Sequence, residues 1–420
     1  QVDRRRQQSM EAQSLVNLSP LFSVMLLGLT VAFGPLSWWW LQHKSANSAG
    51  LRLKRLQALT FFTLFLTFDL IIFGAFTRLT DSGLGCPDWP GCYGSATPFG
   101  AKAHVDAAQA AMPTGPVTHT KAWIEMLHRY LATGVGVLIL TLTTFSWWSR
   151  YKAKIQASQK VRDITSYQPN VHQQISPWWP TASLVWVCVV GAFGALTVTL
   201  KLYPAIVTLH LLGALILLTL LTWQAAYYKK VTSQANATAM SPINVKHTLR
   251  VVLMVTFALV WLQIALGGWV STNYAVLACD TFPGCQKSYW PDMNFSQGFT
   301  IWRELGLTPT GENISFAALT AIHYTHRLTA YVLFIALGFT AWQLSKVVEL
   351  KSYANWLIGL ALWQFFSGVT NAVLGWPLFA ALAHTAGAAG LVMAITWILS
   401  RIAVKSPLSF VIQHRAPIKL

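Results

Sequence analysis

Charged residues are scarce in this chain. They make up 10% of 420 residues, where a soluble domain carries about 25%. Acids are scarcer still, 13 against 30 Lys and Arg, which leaves a formal net charge of +17. So little charge excludes an ordinary soluble globular domain. The cation surplus does not make a nucleic-acid binder, because such proteins cluster their cations on an otherwise soluble chain. Here the cations stand between long apolar runs, the layout of a polytopic membrane protein. Cysteine is sparse too, five in all. No His stands beside a Cys pair at zinc-ligand spacing, so a closed four-ligand zinc site is disfavoured. Apolar residues are abundant, 54% of the chain with 20 Trp, and Trp collects at membrane interfaces.

A spanning helix needs about 20 mostly apolar residues. Eight runs qualify in series: 58–77, 122–148, 178–199, 205–228, 251–271, 319–343, 354–375 and 378–400. The connecting segments differ in charge. Segments 43–57, 149–176, 229–250, 344–353 and 401–420 together carry the whole +17, and the rest of the chain sums to zero. Loops 78–121 and 272–318 are long and nearly balanced, and they hold four of the five Cys. The positive-inside rule puts the basic segments, including the C-terminus, in the cytoplasm and the two long loops outside. An outer loop sits in an oxidising compartment. Cys86 and Cys92 therefore read as one disulfide and Cys279 and Cys285 as another, ahead of zinc; a redox role for either pair stays open. Cys188 lies within a span and reads as a small core residue.

A ninth run, 20–42, ends in Trp38-Trp39-Trp40 and reads as an extra N-terminal helix. If it spans, Arg4, Arg5 and Arg6 fall outside, against the charge rule; a start at Met10 would remove them. No small-x-small cleavage site follows the run, so a signal peptide is disfavoured.

The chain repeats itself. A shift of 193 residues lays GAFTRLTDSGLGCPDWPGC (74–92) on GGWVSTNYAVLACDTFPGC (267–285). Leu127-His128-Arg129 corresponds to Thr325-His326-Arg327, and His210 with Gly213 to His384 with Gly387. An even number of spans per copy gives both copies one orientation, hence a pseudo-twofold axis along the membrane normal. The expected fold is an all-α membrane protein of two tandem four-helix transmembrane bundles. Its parts are an extension (1–57), a first unit (58–228), a linker (229–250), a second unit (251–400) and a tail (401–420).

Ionisable groups inside spans are functional candidates by default. His128, His210, His326 and His384 all fall roughly 8–10 Å below the outer surface at 1.5 Å per residue. Each unit thus offers two imidazoles at one level on two helices, as bis-histidine haem ligation in a four-helix bundle requires. A lone buried His is more often a hydrogen-bonded core residue; four at matched depth, in repeated pairs, favour ligation. Arg129 and Arg327 are candidates for haem propionates, with snorkelling to lipid phosphates as the alternative. Glu125 shares a helix face with His128 and could move protons; its plainer role is a bond to a neighbouring helix. The second unit has His323 there, so the two sites should be inequivalent. Asp69, mid-span, reads as a hydrogen-bonded contact ahead of a proton path. His43, His104, His119, His172, His247 and His414 lie in loops or tails.

These stretches resemble the heme A synthase family. They are TRLTDSGLGCPDWPGCYG (77–94), KAWIEMLHRY (121–130), TLHLLGA (208–214), LGGWVSTNYAVLACDTFPGC (266–285), AIHYTHRL (321–328) and LAHTAGAAG (382–390). The extension 1–57 departs from the family's short N-terminus, while the long first outer loop resembles proteobacterial members. The resemblance implies oxidation of the C8 methyl of heme O to a formyl group, giving heme A. Two hydroxylations would yield a geminal diol that loses water. It further implies heme b on His326 and His384, heme O near His128 and His210, and Glu125 as the catalytic acid–base. The implied setting is the bacterial inner membrane, with membrane lipid around the chain. Implied partners are the heme O synthase, an electron-transfer partner and cytochrome oxidase assembly factors; a homo-oligomer is compatible and no nucleic acid is expected. A di-haem b-type electron-transfer cytochrome is the first alternative and a haem transporter or chaperone the second.

Overall fold

The computed structural model describes residues 16–17, 19–41, 49–160, 176–235 and 243–402. Arg4 to Arg6, Met10, His43, His172, His414 and the tail beyond 402 lie outside them. Lipid offers the backbone no hydrogen-bond partner, so apolar runs of this length satisfy themselves as helices. Among the described residues eleven α-helices result. They are α1 (Leu21–Leu41), α2 (Ala49–Leu79), α3 (Lys102–Ala111), α4 (His119–Lys160), α5 (Trp178–Thr199), α6 (Pro204–Ala235), α7 (His247–Thr272), α8 (Phe295–Gly298), α9 (Phe316–Ser345), α10 (Lys351–Val373) and α11 (Leu378–Arg401). All but α3 and α8 correspond to the nine segments long and apolar enough to cross a membrane among the described residues. Every run read from the sequence, 20–42 included, falls on one of these helices. The protein is an all-α membrane protein.

Helices α2, α4, α5 and α6 pack in a closed ring, each against the next, and so do α7, α9, α10 and α11. The rings meet through α6 against α11, α6 against α7, and α2 against α11. Fourth helix on fourth, with fourth on first in both directions, is the contact set of a twofold arrangement. One apolar core runs through both rings, with Leu218, Leu221, Leu253, Leu337, Val392 and Ile395 nearly or fully buried. On the axis, two hydrogen bonds join residues 193 apart, the offset of the repeat. Arg78 donates through Nη2 to the Ser271 carbonyl and stacks 3.9 Å over the Tyr274 ring. The Tyr274 hydroxyl donates to Asp81 Oδ1 at 2.5 Å.

Helix α1 lies outside the first ring, against α4. The strand before it, β1 (Val16–Asn17), pairs in parallel with β2 (Trp89–Pro90) in the first Cys loop. Val24 packs among Cys86, Cys92, Val105 and Met126. Gly28 lies so close to Thr133 that a Cβ there would come within 2.3 Å of its Cγ2; small residues permit such helix approach in lipid. At the other end, Trp39 Nε1 donates to the Arg55 carbonyl at 2.9 Å. Helix α1 therefore starts at the end that carries the Cys86 loop and finishes at the opposite end.

Two expectations fail on helix surfaces. Cys188 is exposed on α5, because its position on the ring points away from α4 and α6. Asp69 is exposed on α2 in a stripe with Phe61 and Phe65, spaced four apart, and makes no hydrogen bond to a described residue.

Candidate active site

Both Cys loops close the same end of the rings and are built alike. The sulfurs of Cys86 and Cys92 bond at 2.09 Å, and those of Cys279 and Cys285 at 1.96 Å. The zinc alternative therefore falls away. Cys92 exchanges backbone bonds with Ser95, and Cys285 does so with Ser288. Each turn also requires its glycine. A Cβ on Gly91 would meet the Ser95 carbonyl at 2.4 Å, and one on Gly284 the Ser288 carbonyl at 2.6 Å.

Beneath each loop lie two histidines. His128 on α4 and His210 on α6 belong to the first ring, and His326 on α9 and His384 on α11 to the second. No cluster of three or more His, Cys, Asp or Glu able to hold a bare ion occurs among the described residues. Each histidine instead faces a glycine on the preceding helix of its ring. A Cβ at Gly74, Gly194, Gly267 or Gly368 would stand 3.0, 3.2, 2.9 or 3.2 Å from Cε1 of His128, His210, His326 or His384. The four imidazoles thus sit in four matching cradles that a Cβ would crowd.

The Nδ1 edges point the same way. His210 Nδ1 lies 3.0 Å from the Val190 carbonyl, an acceptor only, so Nδ1 carries the proton. Ser367 Oγ gives its own proton to the Trp363 carbonyl at 2.7 Å, leaving a lone pair for His384 Nδ1 at 3.0 Å. Gln263 holds its amide 3.0 Å from His326 Nδ1. An Nδ1 that gives its proton to such a partner, as at His210, frees Nε2 as the iron-facing nitrogen of a ligated histidine. The donor set and cradles fit two histidine ligands per unit, which would hold a haem iron. His128 differs: its buried Nδ1 has no partner.

Glu125 is buried against the first loop. Oε2 accepts from the Cys86 amide at 2.7 Å and Oε1 pairs with Arg129 Nη2 at 2.5 Å. Arg129 Nη1 also donates to the carbonyls of Asp88 at 2.9 Å and Pro90 at 3.2 Å, and to that of Gly91. The Asp88 carboxylate turns the same loop by accepting from Tyr93 N at 2.6 Å and Gly94 N at 2.7 Å. In the second unit Arg327 donates to the carbonyls of Thr281 at 2.5 Å and of Gly284. Both guanidiniums are thus directed through Nη1 at loop carbonyls. His323, in the place of Glu125, is buried with Nδ1 unpartnered. There Gln286 bridges loop and helix, donating to the Ala278 carbonyl at 3.0 Å and Thr320 Oγ1 at 2.8 Å.

The sequence reading missed Gly194, Gly368, Gln263, Gln364 and Ser367. The offset that lays His210 on His384 also lays Gly194 on Gly368, which could have found that pair.

The comparisons agree with this architecture. The family model described as COX15-CtaA, cytochrome oxidase assembly protein, matches residues 57–396. A heme A synthase of Shewanella oneidensis is 33% identical over 340 residues, covering 80% of this chain and 93% of that protein. Heme A synthases of Bradyrhizobium diazoefficiens and Parvibaculum lavamentivorans are 26% and 24% identical. Those alignments cover 76% and 80% of this chain, and 83% and 91% of the relatives. The family match spans both rings, both disulfide loops and all four histidines, and the chain belongs to the COX15-CtaA family of cytochrome oxidase assembly proteins.

Proposed function

We propose that this chain is a heme A synthase, an oxidoreductase that converts the C8 methyl of heme O to a formyl group. Its units divide the work. His128 and His210 hold the substrate heme O under the Cys86 loop. His326 and His384 hold heme b, which when bound supplies electron transfer. The observation that carries this division is the inequivalence of the two loop-facing positions. One unit buries a carboxylate, Glu125, between its disulfide loop and its histidine pair. The other has an imidazole, His323, in that place.

Glu125 has the chemistry of an acid–base group near the reacting methyl. Arg129 fixes one carboxylate oxygen, and the Cys86 amide fixes the other. A proton leaving or entering Glu125 therefore shifts the charge balance of the loop directly above. Arg129 and Arg327 each tie their loop through backbone carbonyls, which makes loop anchoring their first role. The described basic residues of these segments, Lys152, Lys229, Lys246 and Lys346 among them, stand toward the helix ends opposite the loops. That favours an inner-membrane protein with both disulfide loops periplasmic and the C-terminus cytoplasmic. The heme O synthase, an electron-transfer partner and oxidase assembly factors are the partners this role requires.

The test is mass spectrometry of haems extracted from a strain supplying heme O. Wild type yields heme A. Glu125→Gln yields none while the heme b spectrum persists. Loss of heme b along with heme A would make Glu125 structural. Two heme b per chain in wild type, unchanged by heme O supply, would favour the di-haem cytochrome.

A further inference from the structure

Four imidazoles in four like cradles still differ in what fixes each ring. In the second unit both cradle helices carry a glutamine one turn before the glycine, QIALG at 263–267 and QFFSG at 364–368. In the first unit the same places are apolar, LIIFG at 70–74 and VGAFG at 190–194. The contacts follow the sequence. Gln263 Nε2 lies 3.0 Å from both the backbone carbonyl and Nδ1 of His326. Gln364, with its amide turned to satisfy both ends, donates to the His384 carbonyl at 2.9 Å, accepts from Ala388 N at 2.9 Å and brings its Nε2 within 3.1 Å of His384 Nδ1. Ser367 adds a further contact to His384 Nδ1. In the first unit Val190 offers His210 only its backbone carbonyl. Leu70 offers His128 nothing polar, and the His128 Nδ1 is left buried and alone.

Outer partners of a ligating histidine fix its tautomer and orientation, and losing one costs about 10- to 100-fold in metal affinity. We propose that Gln263 and Gln364 are positioning residues that make the second unit the site of haem retention, whereas the unsupported His128 is the ligand that releases when haem in the first unit is exchanged. The inference rests on the assignment of a resident haem to the second unit and a substrate haem to the first. It explains how one cradle, used twice, serves a group that stays and a group that must leave. The Gln263 Oε1, buried without a partner, supports it. With iron on Nε2 the imidazole presents Nδ1–H, and a turn of the amide brings that oxygen onto it in exchange for the bond to the His326 carbonyl.

The test exchanges the two units' residues in purified full-length protein. Haem loss to apomyoglobin, the low-spin EPR signal and the midpoint potential are followed in each variant. Gln263→Leu, which writes Leu70 into the second unit, should speed heme b loss about 10- to 100-fold and move the EPR signal. Gln263→Glu, which keeps an oxygen for Nδ1–H, should restore retention and lower the potential, because a carboxylate partner makes the ligand more basic. Leu70→Gln should slow release of heme O. Should Gln263→Leu fail to fold, Gln364→Val carries the same prediction. Wild-type loss rate, EPR signal and potential in the folded glutamine variants would overturn the proposal. His326→Ala separates the two levels. Heme b surviving that change sinks the assignment of units, whereas heme b lost there but indifferent to Gln263→Leu sinks only the positioning role.

Discussion

The first and second four-helix units are built on one plan and part company at the same few places. Both close under a disulfide loop with a required glycine, both anchor that loop to an arginine after a histidine, and both press four-square against their glycine cradles. In the first unit the polar groups gather above the histidines, where Glu125, Arg129 and Asp88 form one buried network with the loop. In the second they gather beside the histidines, where Gln263, Gln364 and Ser367 sit on the Nδ1 edges. A duplicated scaffold thus acquires two tasks through where its few polar side chains stand. Acid–base chemistry needs a charge near the substrate's edge, and a held cofactor needs fixed ligands.

The largest effect should come from erasing the carboxylate. Glu125→His copies His323 into the first unit. It removes a buried partner of Arg129 and the acceptor of the Cys86 amide. A positioned acid–base group contributes about 10²- to 10⁴-fold, so heme A formation should fall by at least that factor. Heme b absorbance should stay within error of wild type. Retained heme A synthesis in this variant would break the functional distinction between the units.

Much of this was legible in the sequence because lipid makes the rules strict. Helices α1, α2, α4 to α7 and α9 to α11 follow from apolar length alone, and the twofold contact pattern follows from GAFTRL laid on GGWVST. The four histidines stood out because imidazoles are rare in spans. Surfaces were harder to read. An apolar run does not say which side faces lipid, so Cys188 and Asp69 were placed inside and lie outside. The glutamines escaped notice because a lone amide in a span looks like helix glue until the facing histidine is known. The loop anchoring by the two arginines escaped notice because its partners are backbone carbonyls, which no sequence displays.

A smaller effect should follow from filling the cradles. Gly74→Ala and Gly267→Ala place a methyl 3.0 and 2.9 Å from His128 and His326 Cε1, closer than ordinary contact. Each ring must shift by a few tenths of an ångström. Heme O turnover should drop several-fold in Gly74→Ala with heme b unchanged, and heme b content should drop in Gly267→Ala. Optical titration of each haem reads the two effects separately. The same loss in both variants would mean that the units are coupled more tightly than their separate rings indicate.

The contact between the units offers a milder test. Arg78→Ala removes the bond to the Ser271 carbonyl, the stack on Tyr274 and the pair with Asp81. All three lie at the loop end of the axis, away from the α6–α11 core. Thermal unfolding in detergent should begin a few degrees lower, about 2–4 °C per kcal/mol lost, with both haem spectra intact. A changed heme b potential would show that the clamp sets the second site as well as the interface.

The smallest effect on function belongs to Asp69. Its repeat counterpart is Leu262, which is half exposed on α7. A carboxylate in the middle of a span costs about 2.5–3.5 kcal/mol on insertion scales, and Asp69 lies on the exposed stripe of α2 without a described hydrogen bond. Gly74 faces His128 from the other side of that helix, so Asp69 points away from the haem pair. Asp69→Leu should therefore leave heme A yield and both spectra unchanged and raise the amount of protein inserted. If heme A yield falls while heme b and insertion hold, Asp69 delivers protons to the first unit. The asymmetry between the units would then extend from the loops to the membrane-facing surface.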